Sequence, residues 1–219
     1  MQSVTRTTGQ RRELPVSLIR GRLSRLLAVV VVLTGLVLIP ATAAQAASAC
    51  QNKYGSYWSR GPYTYAGLSA SVTRNTSMFL DAASPYPTTA PGYVHLWHNN
   101  GPTANQQWCL GKYTYADGSY AYQARNYQTG LCLDPDSPVG NGVNVWLWTC
   151  KGSGDSTQYT QMWEITSNGT RSTPGGSHTV YYFRRSSSIY CLDVRENDWN
   201  DGAALQTWQC SYAGNQLFY

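Results

Sequence analysis

Apolar and polar residues alternate in short stretches along this chain: Tyr120-Ala121-Tyr122-Gln123-Ala124, Val143-Asn144-Val145-Trp146-Leu147-Trp148, Thr179-Val180-Tyr181-Tyr182-Phe183 and Ala204-Leu205-Gln206-Thr207-Trp208. A period of two sends successive side chains to opposite faces, so each stretch predicts a strand. Clusters of Gly, Asn, Asp, Pro and Ser between them supply turns. Few stretches have a helical period, and the sequence reads as all-β.

One segment breaks this pattern. Residues 26–39 form an uncharged apolar run, preceded by six arginines against Glu13 and followed by Pro40 and a tail of small residues. That is the layout of a secretory signal peptide, residues 1–46, with cleavage after Ala46 or as late as Ala49. The run is shorter than the roughly 20 residues that span a bilayer. Secretion to the extracellular space is therefore expected, with no stable membrane insertion after signal removal. The formal net charge of +5 comes from 16 Lys and Arg against 11 Asp and Glu. Six of those arginines and Glu13 leave with the signal, and what remains is ten basic against ten acidic side chains. A neutral surface lacks the clustered positive charge that phosphate backbones require, which argues against nucleic acid as a partner. Residues 47–219 suffice for one domain with one core, and a monomer is expected.

Within that domain a unit recurs three times. Leu80-Asp81, Leu133-Asp134 and Leu192-Asp193 are each followed by a lone tryptophan (Trp97, Trp148, Trp208) and then by Asn105-Gln106-Gln107-Trp108, Thr160-Gln161-Met162-Trp163 or Asn215-Gln216-Leu217-Phe218. The closing aromatics lie 55 residues apart in both intervals. Repeats of about 65–112, 113–167 and 168–219 cannot bury a core singly, whereas three hairpin-rich units closing round one axis can. The expected architecture is a β-trefoil with three pseudo-threefold repeats. Trp108, Trp163 and Phe218, with the leucines before the aspartates, are its candidate core.

Six cysteines in an exported domain are expected to be oxidised. Cys132 and Cys150 occupy the same places in their repeat as Cys191 and Cys210 in theirs, which argues for the bridges Cys132–Cys150 and Cys191–Cys210. Elimination leaves Cys50–Cys109. Without Cys-x-x-Cys pairs, and with three histidines in the chain, no metal site and no cofactor are expected.

The string from Tyr190-Cys191-Leu192-Asp193 through Gln206-Thr207-Trp208-Gln209-Cys210 to Asn215-Gln216-Leu217-Phe218 resembles the ricin B-chain type (QxW repeat) lectin repeat of secreted bacterial proteins, and the other two units are similar to it. The resemblance implies a non-catalytic carbohydrate-binding domain with up to one sugar pocket per repeat. Carried over residue by residue, the third pocket comprises Asp193, Gln206, Trp208, Asn215 and Gln216. The first comprises Asp81, His95, Trp97, Asn105 and Gln106, with His95 where the third has Gln206. The second keeps Asp134, Trp148 and Gln161, while Trp146 and Thr160 depart from the pattern. In each, the glutamine is expected to support the aspartate.

These residue types suit a pyranose. An indole lies against the C–H face of the sugar, a carboxylate accepts hydrogen bonds from two neighbouring hydroxyls, and an asparagine amide both donates and accepts. The expected partner is a glycan or polysaccharide bearing galactose- or xylose-type units. The alternative is a trefoil that binds protein, as a protease inhibitor does, because fold alone does not choose. Glycoside hydrolysis fits less well. It needs two carboxylates about 5 to 9.5 Å apart, whereas threefold geometry separates Asp81, Asp134 and Asp193, and a turn accounts for the acidic cluster Asp193, Glu196, Asp198 and Asp201. No catalytic residue is assigned.

Overall fold

The computed structural model describes residues 48–67, 78–99, 101, 103–173 and 175–219; the segment read as a signal peptide lies outside them. After a short helix α1 (Ala49–Tyr54), the strands are β1 (Arg60–Tyr63), β2 (Ala66–Gly67), β3 (Met78–Ala82), β4 (Gly92–His98), β5 (Trp108–Thr114), β6 (Tyr120–Asn126), β7 (Cys132–Pro135), β8 (Val143–Trp148), β9 (Trp163–Thr173), β10 (Gly176–Arg185), β11 (Tyr190–Val194) and β12 (Ala203–Gln209). The four stretches of alternating polarity fall on β6, β8, β10 and β12. The fold is the all-β trefoil.

Its closure has two parts. Strands β1, β5, β6, β9 and β10 pair in that order, and the last residues complete the circuit: Phe218 bridges Tyr181 on one side and Gly67 on the other, while Ala66 and Tyr219 exchange backbone hydrogen bonds. The hairpins β3–β4, β7–β8 and β11–β12 form the second part. Their second strands pair with one another all the way round, β4 with β8, β8 with β12 and β12 with β4. Among the described residues, no inner hairpin edge is left free.

Register explains why each repeat places the same residues alike. Asp81 lies opposite His95, Asp134 opposite Trp146 and Asp193 opposite Gln206. Between these outward residues, Leu80, Leu133 and Leu192 turn inward and are fully buried, as are Trp108, Trp163 and Phe218. The Trp108 indole N–H donates to the Leu80 carbonyl (2.9 Å) and Trp163 to that of Leu133 (3.1 Å), locking each closing aromatic onto the leucine of its own repeat. Phe218 has no such donor.

The residue before each lone tryptophan, Leu96, Leu147 or Thr207, is likewise fully buried. Thr207 satisfies its hydroxyl by donating to the Gly140 carbonyl of the second repeat (2.7 Å), and its own carbonyl accepts from Gly142 N–H. This one polar substitution draws the 140–142 loop of the second repeat against the third.

Disulfides join Cys50 to Cys109, Cys132 to Cys150 and Cys191 to Cys210. The first ties α1 to β5. Residues 55–59 then pack over Gly111, where a Cβ would come within 2.2 Å of the Tyr57 ring. The segment ahead of the repeats thus supplies barrel strand β1 and braces β5 from outside.

Candidate functional site

Two residues of the third repeat define its pocket. Trp208 is 44% exposed although it sits on a central strand, and Asp193 is 2% exposed at its foot. Both line a cavity of about 630 Å³ together with Arg195, Gln206, Asn215 and Gly142. Asp193 Oδ1 accepts from Gln206 Nε2 (2.8 Å), and Oδ2 accepts from Asn215 Nδ2 (2.7 Å) and Gln216 Nε2 (2.9 Å). Gln216 is held in turn: its amide donates to the Gln209 carbonyl, and its oxygen accepts from Ser211 N–H and Tyr212 N–H. All five residues expected in this pocket come together.

A carboxylate offers about four acceptor positions, and three amides already occupy Asp193. Room remains for one ligand hydroxyl at the acid rather than two. The carbonyl oxygen of Asn215 is the neighbouring acceptor for a second. Burial raises the Asp193 carboxyl above its ordinary value, and the hydrogen bonds from Gln206, Gln216 and Asn215 oppose that shift.

Sequence reasoning missed Arg195. Its Nε donates to Gln206 Oε1 (3.2 Å), and its Nη2 donates to the Gly142 carbonyl (3.1 Å) and to Asn144 Oδ1. The guanidinium fixes Gln206 and fastens the third lobe to the second. The available signal was its place two residues after Asp193, on the same side of the chain. Gly142 adopts φ +76°, and a Cβ there would stand 3.9 Å from Trp208, so a glycine forms the wall beside the indole. Glu196 and Asn197, also at the rim, hold left-handed backbone (φ 55° and 54°). Such conformations cost of order 1 kcal/mol or more and concentrate at functional sites.

The first repeat assembles a variant. Asp81 Oδ2 accepts from Asn105 Nδ2 (2.7 Å), and Oδ1 lies 3.2 Å from His95 Nε2. The His95 ring stacks on Trp97 at 5.2 Å between centroids. Gln106 departs from expectation. Its amide donates to the His98 carbonyl (3.0 Å), the counterpart of the bond Gln216 makes to Gln209, but Asp81 is not its partner. Among the described residues, its buried Oε1 finds no hydrogen-bond donor.

The second repeat is built differently. Gln161 Nε2 donates to Asp134 Oδ2 (2.9 Å) as in the third, but Lys151 Nζ also stands 2.8 Å from that oxygen and donates to Thr160 Oγ1. The ammonium sits where the asparagine amide sits in the other repeats, and it neutralises the acid. Trp146 does not join Asp134; its indole N–H donates to Asp136 (2.9 Å), and its ring meets Tyr93 edge-on at 4.7 Å. Trp148 remains 43% exposed.

The acidic cluster after Asp193 disperses into turns. Asp198 accepts from Asn200, and Asp201 accepts from the backbone and ring of His98. Among the described residues, no group of three His, Cys, Asp or Glu side chains could hold a metal, and no helix is long and apolar enough to cross a membrane.

Residues 104–208 match the family model described as "Ricin-type beta-trefoil lectin domain-like". The β-galactoside-specific lectin 2 of Viscum album is 34% identical over 93 residues, 42% of this chain and 15% of that protein. The chain thus spans a small part of the length of that curated relative. Among solved structures, the designed threefold-symmetric protein ThreeFoil is similar with a TM-score of 0.54 at 21% identity, over 71% of this chain and 94% of that one. The Rhizoctonia solani agglutinin gives 0.52 at 15% identity, over 73% and 94%. At these identities, the structural matches speak for the fold alone.

Proposed function

We propose that this ricin-B-like β-trefoil domain is a secreted, non-catalytic lectin that binds neutral sugar units of a glycan or polysaccharide, chiefly through its third repeat. The observation that carries the reading is the exposed Trp208 ring beside the nearly buried Asp193 in one cavity, with Gln206, Asn215 and Gln216 all donating to that carboxylate.

The mechanism follows from what a pyranose presents. Its C–H face covers the indole, a flat ring with few side-chain rotations to lose on contact. One hydroxyl donates to Asp193 and its neighbour to the Asn215 carbonyl, so an epimer that moves either hydroxyl leaves a polar group unpaired. The amides fix the acid before ligand arrives. The first repeat is a second, weaker site, with His95 in place of Gln206. In the second, Lys151 neutralises the acid and stands in place of the asparagine whose carbonyl would take the second hydroxyl.

Galactosides are the favoured sugar class, on the strength of the β-galactoside-specific relative, with xylose-type units as the other candidate. Three disulfides accord with an oxidising, extracellular location. The test is a glycan and polysaccharide screen on residues 47–219, repeated with Trp208→Ala and Asp193→Asn. Trp208→Ala should weaken binding at the third site by about tenfold or more, roughly 1.4 kcal/mol, with unfolding temperature unchanged. Undiminished affinity in that variant would remove the third repeat from the assignment.

A further inference from the structure

Away from the lobe pockets lies a hollow of about 300 Å³ lined by Tyr63, Tyr65, Tyr122, Tyr181, Tyr219 and Ile165. A cleft of about 540 Å³ adjoins it, lined by Tyr115, Asp117, Tyr120, Glu164, Arg184 and again Ile165. The two share Ile165 in their linings, and the rings of Tyr120 in the cleft and Tyr122 in the hollow lie 5.7 Å apart on β6. Neither shares a residue with the Asp193 pocket.

We propose that this tyrosine-floored groove is a second kind of binding site, which takes a neutral, linear oligosaccharide. Each tyrosine offers an apolar ring and a hydroxyl, the pairing that successive sugar units need. Tyr63 and Tyr120 present the most open rings. Lys112 stands over the Tyr120 ring at 4.2 Å and Arg60 over that of Tyr122 at 5.7 Å, and such cations hold the floor in place.

Polarity selects the occupant. Arg184 is paired with Glu164, and Asp117 already accepts from the Ser119 backbone and hydroxyl. A lipid chain would desolvate these groups without returning a hydrogen bond. A charged polymer would meet both signs along one path. A chain of neutral sugars can stack on the rings and bond the polar edges. An occupant that touches both hollows across Tyr120 and Tyr122 needs several sugar units rather than one.

The experiment uses galacto-, xylo-, gluco- and mannotetraose with the matching monosaccharides, measured by calorimetry on a chain carrying Trp97→Ala and Trp208→Ala, and again after adding Tyr63→Ala and Tyr120→Ala. Both tyrosines are more than two-fifths exposed, and unchanged thermal unfolding checks that the added changes spare the fold. Support is residual binding of at least one tetrasaccharide, about tenfold tighter than its monosaccharide, that disappears with the tyrosines. Absence of residual tetrasaccharide binding, or residual binding indifferent to the tyrosines, overturns the groove. If binding in the unaltered chain ignores the two tryptophans but needs the tyrosines, the lobe-pocket assignment fails and the groove stands.

Discussion

At the scale of single residues, Asp193 carries two tendencies that separate binding from stability. Burial raises its carboxyl above the ordinary value despite three hydrogen bonds that favour the ionised form. Because the folded state then takes up the proton more readily than the unfolded chain, acidification through that range costs no stability through this group and slightly favours the fold. Binding responds in the opposite sense, since a protonated acid has lost an acceptor. Affinity at the third site should therefore fall on acidification with a midpoint above that of a free aspartate, while the unfolding temperature does not fall with it over the same interval. Titrating affinity and unfolding in parallel checks this, and a common midpoint for both losses would make Asp193 a structural residue only.

At the scale of elements, the repeats differ in what reaches the acid, and stability should register the difference. Lys151 and Asp134 pair in a largely buried setting, with 17% and 9% of their side chains exposed. Lys151→Ala strands a buried carboxylate and should cost roughly 3 kcal/mol, read as a drop in denaturant midpoint, whereas Lys53→Ala at the exposed end of α1 should cost far less. Arg195→Ala frees Gln206 and releases the 140–142 loop from the third lobe. It should weaken sugar binding several-fold with a smaller effect on stability, which paired calorimetry and denaturation would separate. The recurrence of Leu-Asp, a lone tryptophan and a closing aromatic, the last at intervals of 55 residues, was enough to read the core and the grouping of Asp193, Gln206, Trp208, Asn215 and Gln216, because one backbone register serves all three repeats. Lys151 was harder to foresee. The replacement of asparagine by Thr160 marked a departure, but what filled the gap came from the residue after Cys150, brought close only by the fold. The Gly142 wall was beyond reach for the same reason, since it depends on β8 of one repeat pairing with β12 of the next.

For the whole molecule, what matters is that the first and third pockets ride on a single body closed by the β4, β8 and β12 pairings and three disulfides. A shallow pocket built from one ring and one acid should hold a monosaccharide with roughly −4 to −6 kcal/mol, which is high micromolar to millimolar affinity. On a polymer that repeats the same unit, the second contact is intramolecular and proceeds at an effective concentration set by the span, of order millimolar for short flexible connections. Two such pockets can therefore multiply affinity with no new contact. Asp81→Asn tests this directly, because it damages the first pocket and leaves Asp193, Trp208 and their amides untouched. Monosaccharide affinity at the third site should stay the same, and affinity for the polysaccharide should drop by about tenfold or more. A polymer affinity unmoved by Asp81→Asn would mean that the third pocket acts alone and that the first repeat keeps its aspartate for the sake of its turn.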